Sequence, residues 1–122
     1  MSSGRLLVIG LDPHRVPGPW DPEPVASALD KSTAQLAELG FEAESCLFGL
    51  DGSDDIEAVV TSALRSRPWD CVVIGGGIRH GDDQLELFET VVNLVHRHAA
   101  DAVIAFNRSP SDIPEAVGRL LG

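Results

Sequence analysis

Positive charge is scarce in this chain: nine Lys and Arg stand against nineteen Asp and Glu in 122 residues, for a formal net charge of −10. Phosphate backbones are held mainly by Lys and Arg, so this balance argues against a nucleic-acid partner and disfavours an anionic membrane surface. A small anion held by one local Arg stays compatible with it. Cysteine is equally sparse. Cys46 and Cys71 have neither metal-ligand spacing nor a redox motif, and His96 and His98 lack the i, i+4 spacing of a helical metal pair, so no metal site and no cofactor are expected. No apolar run approaches the roughly 20 residues of a membrane span. Residues 1–5 lead straight into a strand-like segment instead of a signal peptide, which makes the cytoplasm the expected location. Repeats, low-complexity tracts and linkers are lacking too, so residues 1–122 are expected to form one domain.

What is present is a strict alternation of two patterns. Residues 5–11 (RLLVIGL) form a short, nearly unbroken apolar run rich in branched side chains, as a parallel strand buried on both faces requires. Residues 41–48, 70–74 and 101–106 read as three further strands, the first of them partly alternating as an edge strand would. Between them lie helical patterns with recognisable ends. Asp21 followed by Pro22 fits an N-cap with proline at the first helical position, and Gly40 fits the residue past the C-terminus. The second helix follows Ser53, gathers Ile56, Val59, Val60, Ala63 and Leu64 on one face, and is stopped by Pro68.

A third helix over 82–98 carries two apolar stripes: Leu85, Phe88, Val92 and Val95, and then Leu87, Val91 and Leu94. One should cover the sheet. The second packs on a neighbouring helix or forms a homo-oligomer contact. Asp112 and Glu115 form an Asp-x-x-Glu capping box for a fourth helix that contains Ile113, Val117, Leu120 and Leu121. Alternating β and α elements demand parallel strands with right-handed crossovers. The expected fold is therefore an α/β/α three-layer sandwich on a four-stranded parallel sheet of order 2-1-3-4, the flavodoxin-like arrangement. In it Cys46 and Cys71 lie two strand spacings apart, about 10 Å and beyond disulfide reach, so both are expected to be buried thiols.

Sites on such sheets sit beyond the C-terminal strand ends, at the switch point between the first and third strands. Two loops meet there. Residues 12–20 are long and stiffened by proline. Asp12 and His14 in this loop are acid/base candidates, with the carboxylate orienting the imidazole; alternatively Asp12 caps the turn at Pro13 and His14 is simply exposed. Trp20 stacks on a ligand or, as tryptophans before helices often do, packs on the core.

In the second loop, Gly75, Gly76 and Gly77 strip side chains from the backbone where it leaves the sheet, freeing N–H groups for an anion. Arg79 adds a cation able to pair bidentately with carboxylate or phosphate, and His80 a proton donor or acceptor. After the fourth strand, Asn107, Arg108 and Ser109 supply an amide, a cation and a hydroxyl at the same sheet end, although Asn107 is as well explained by tying its own loop to the loop after the third strand. Glu89, Asn93 and His96 recur at helical spacing and read as a solvated face.

Familiar motifs of the fold are missing. Position 80 is His where a dinucleotide fingerprint needs glycine, and no Lys-Ser/Thr pair makes a P-loop. The third strand ends in glycine, where a receiver domain would end in a phosphorylatable Asp. The loop after the first strand lacks the Ser/Thr-rich phosphate loop of flavodoxins, and seven residues separate Cys71 from Arg79 where low-molecular-weight phosphatases have five. Gly10-Leu11-Asp12-Pro13, Gly77-Ile78-Arg79, Leu87-Phe88-Glu89 through Asn93 and His96, and Ala105-Phe106-Asn107 together resemble a group of small, uncharacterised bacterial Rossmann-like proteins. Ala100, where that group leads one to expect proline, and Arg108, where it leads one to expect threonine, depart from the pattern. The resemblance implies the fold and no activity. The functional expectation is a small carboxylated or phosphorylated metabolite bound between the two loops, with His80 or His14 available for an isomerase- or lyase-type proton transfer. The alternative is a regulatory or interaction module assembling through Leu87, Val91 and Leu94.

Overall fold

The computed structural model describes residues 4–16, 18, 20–50, 52, 55–79, 84–109 and 111–121, the side chain of Arg79 excepted. Four strands, β1 (Arg5–Leu11), β2 (Glu42–Phe48), β3 (Cys71–Ile74) and β4 (Val103–Phe106), form one all-parallel sheet of order β2-β1-β3-β4. Among the described residues, five α-helices connect or flank them: α1 (Glu23–Glu38), α2 (Ile56–Arg65), the single turn α3 (Gly76–Arg79), α4 (Leu85–His98) and α5 (Ile113–Leu121). The expected order and layering are therefore those observed.

Strand pleat divides the apolar runs between two cores. Leu7 and Ile9 of β1, with Cys46, Phe48, Val72 and Ile74, face α2, α3 and α4. Leu6 and Val8, with Cys71, Val73 and Ala105, face Leu36 of α1 and Ile113, Ala116 and Val117 of α5. The central strands β1 and β3 are buried on both sides, whereas the edge strand β2 is mostly exposed over its first half, Glu42 to Ser45. Its outward residues Glu42 and Glu44 meet Arg5 and Arg67 at 3.3 and 2.8 Å. Cys46 and Cys71 are buried thiols with β1 between their strands.

Most helix ends follow the sequence signals. Asp21 Oδ1 accepts from Glu23 N at 3.0 Å while Pro22 already has helical dihedrals, and Gly40 takes φ +92° past the end of α1. Asp55 caps α2 through Ala58 N. The Asp112 capping box does not form as expected: its carboxylate turns back, accepting from Arg108 N at 3.0 and 3.1 Å and from Ser109 N at 3.1 Å. A carboxylate clasping two backbone donors of a tight turn outcompetes the single donor a cap offers. Within the third predicted helix, the described part begins at Leu85. Its second stripe packs inside the chain, since Val91 and Leu94 are buried and Leu87 half-buried in the core shared with α2. Leu85, expected on the sheet-facing stripe, is instead 64% exposed. No helix among the described residues is long and apolar enough to cross a membrane.

Candidate functional site

A cavity of about 290 Å³ opens at the C-terminal edge of the sheet on the α1/α5 side. Its floor is the sheet itself: Val8, Gly10 and Leu11 of β1 and Leu47 of β2. One wall is α1, through Val25 and Leu29, continued by Pro13, Val16 and Trp20 of the preceding loop. The far wall is the loop after β4, with Asn107, Arg108 and Ser109, and Ile113 at the start of α5. Gly75, Gly76 and Gly77 pass along the edge between these walls. The cavity therefore lies where the topology of the sheet directs a ligand, at the β1/β3 switch point.

The loop after β1 is shaped by its own backbone bonds. Asp12 Oδ1 accepts from His14 N at 3.0 Å and starts a 3-10 turn over Pro13–Arg15. This turn is docked onto the end of β2 because Asp12 N donates to Phe48 O (2.8 Å) and Leu50 N donates to Arg15 O (3.1 Å). Gly49 makes the docking feasible, since a Cβ there would lie 2.8 Å from Arg15 Cβ and 3.0 Å from Arg15 O. The acid/base pairing expected of this loop is thus replaced by the capping alternative. The second carboxylate oxygen of Asp12 approaches Arg15 Nε at 3.6 Å, and His14 Nε2 points away to Glu23 Oε1 at 3.7 Å. His14 does not line the cavity. Trp20, 40% exposed, sits at the mouth instead of in the core, tethered by Nε1 donating to Val16 O at 3.1 Å.

The glycine segment after β3 is more ordered than a loop. Gly75 N donates to Ile9 O at 2.8 Å, extending the sheet, and Gly76–Arg79 forms one helical turn because Ile78 is fully buried in the core. The absent side chains matter for packing: a Cβ on Gly75 would meet Ile9 O at 3.2 Å, and one on Gly77 would meet Leu11 Cδ1 at 3.2 Å. Backbone of Gly76 and Gly77 still faces the cavity. The candidate side chain of Arg79 and all of His80 lie outside the described residues.

In the loop after β4 the polar groups divide their labour. Asn107 is buried and its Nδ2 donates to Ser109 O at 2.6 Å, a bond inside its own loop. Ser109 and Ser111 share a hydroxyl contact of 3.0 Å. With Asp112 holding both amides of the turn, Arg108, an exposed residue, is the cationic one in the described lining and makes no ion pair among the described residues. No family model matches this chain, and no curated protein does.

Nothing else among the described residues competes as a chemical centre. No group of three or more His, Cys, Asp or Glu converges there to hold a metal. Glu89, Asn93 and His96 are exposed on α4, where Asn93 Nδ2 merely donates to Glu89 O at 2.8 Å. Cys71, whose thiol burial and the adjacent Asp70 push up to about 11, begins β3 at the opposite end from the cavity. Sequence reasoning found the glycine and Asn107-Arg108-Ser109 segments but missed the apolar half of the site. Its one visible trace is Gly10, a missing side chain inside the β1 run.

Proposed function

We propose that the protein binds a small anionic metabolite in the cavity at the C-terminal strand edge. The observation that carries this reading is the convergence of Arg108 with the mainly apolar walls from β1, β2 and α1 in one concave site at the switch point. A guanidinium beside a low-dielectric wall attracts an anion more strongly than one in open solvent. The cavity volume of about 290 Å³ lies at the small end of ligand pockets and suits a small metabolite.

The described lining contains no carboxylate or imidazole, so binding is better supported than the isomerase- or lyase-type proton transfer for which Asp12, His14 and His80 were candidates. Assembly through Leu87, Val91 and Leu94 draws no support from the packing, because Val91 and Leu94 are covered within one chain. The setting we infer is the cytoplasm, and two buried cysteine thiols are in keeping with it. Kinship with small bacterial Rossmann-like proteins is part of the same proposal and rests on the segments quoted above.

A thermal-shift screen of carboxylates, phosphate esters, nucleotides and flavins tests the reading. A ligand present at 100 times its dissociation constant adds about 2.7 kcal/mol. For 122 residues this raises the melting temperature by about 10 °C. The shift should shrink strongly in Arg108→Ala. A flat screen on folded protein, or a shift that Arg108→Ala leaves intact, would overturn the proposal.

A further inference from the structure

The cavity is not uniformly lined. Among the described residues, the amide, cationic and hydroxyl side chains that line it all come from the loop after β4, whereas Val8, Leu11, Val25, Leu29 and Leu47 make its other end apolar. The polar end follows β4 and the apolar end lies over β1 and β2, two to three strand spacings or about 10–14 Å away. Such polarity matches a ligand that is itself divided into head and tail. From this we infer that the anion is a monocarboxylate with an apolar tail, its head at Arg108 and its tail over Gly10 against Leu29 and Leu47. The inference rests on the anion-binding reading above and narrows it.

Two further observations support this class. The net charge of −10, with one lining cation among the described residues, makes a single negative charge cheaper to hold than a phosphate dianion or dicarboxylate. A second carboxylate at the Leu29/Leu47 end would be buried without a partner. Gly10 in turn sets the depth available to the tail. It is buried on a strand without positive φ, and a Cβ there would meet nothing nearer than Leu47 Cδ2 at 3.5 Å. The missing side chain is therefore required neither by backbone conformation nor by close packing; its effect is to leave the floor open.

Calorimetric titration with octanoate, butanoate, octanedioate, octanamide and inorganic phosphate tests the assignment, with Trp20 emission at the cavity mouth as a second signal. Octanoate should bind tightest. Each methylene from butanoate upward should tighten binding by up to about fourfold. Octanedioate and octanamide should each bind at least tenfold more weakly. Gly10→Val should weaken octanoate at least tenfold and butanoate much less, with Gly10→Ala intermediate. Phosphate binding without octanoate binding would overturn the tail while leaving the anion reading standing. Octanamide binding as well as octanoate, or binding of no anion at all, would overturn both. An octanoate-to-butanoate ratio unchanged in both Gly10 variants would also overturn the inferred tail position.

Discussion

Replacing Gly49 by alanine isolates the contact that builds the cavity's outer wall. Gly49 follows β2, and its φ is not positive, so the backbone admits alanine without strain. The new Cβ, however, would stand 2.8 Å from Arg15 Cβ, 3.0 Å from Arg15 O and 3.1 Å from Arg15 Nε. Two of these neighbours are main chain or the root of a side chain, which cannot swing aside. The loops must separate, stretching the Leu50 N to Arg15 O bond of 3.1 Å and the Asp12 N to Phe48 O bond of 2.8 Å. Overpacking of this kind costs about 1–3 kcal/mol, and the stiffer unfolded chain returns about 0.4–1 kcal/mol. The net loss is about 1–2 kcal/mol. Unfolding entropy for 122 residues sets about 4 °C per kcal/mol, so the melting temperature should fall by about 4–8 °C in calorimetry. Gly118→Ala supplies the opposite sign from the same chemical change. Its Cβ would meet nothing within 4 Å, and it sits inside α5, where alanine is favoured by about 0.8–1 kcal/mol. It should melt about 3–4 °C higher than wild type. A Gly49→Ala protein that melts at or above the wild-type temperature would refute the docking argument.

Asp112→Ala removes the acceptor of Arg108 N and Ser109 N, and should cost about 2 kcal/mol in urea titration, with Asp112→Asn recovering part of it. A loss equal to that of an exposed Asp→Ala change would show that the clasp is idle. Cys71 gives a pH signature: the unfolded thiol ionises near 9.0 while the folded one stays neutral to about 11, so its contribution is full below pH 9 and is lost as pH rises through 11. Wild type should lose on the order of 2 kcal/mol more than Cys71→Ala across that window in urea melts, and parallel curves would contradict it.

The architecture was legible because its signals are local and repeated. The run Leu6 to Ile9, the Val59, Val60, Ala63 and Leu64 face, and breakers such as Gly40 and Pro68 each specify an element, and strict alternation then fixes parallel strands and the β2-β1-β3-β4 order. The edge position of β2 was visible in the polar residues Glu42, Glu44 and Ser45 that interrupt its apolar ones, and these are exposed. Side-chain partners were less legible, because one residue type serves several geometries. Asp112 offers a capping box in sequence but clasps the preceding turn, and Asp12 caps its own 3-10 turn while His14 turns to Glu23.

Sequence by itself determined the elements, their order and the edge of the sheet where a ligand would sit. Only the tertiary structure decided what that edge presents. Gly10, Leu29 and Leu47 are distant in the chain and carry no motif, and they become one apolar pocket opposite Arg108 only when β1, β2, α1 and the loop after β4 pack together. Hydrophobic patterning reports which face of an element turns inward. Where inward faces leave space unfilled depends on side-chain volumes from several elements at once, which no single segment encodes.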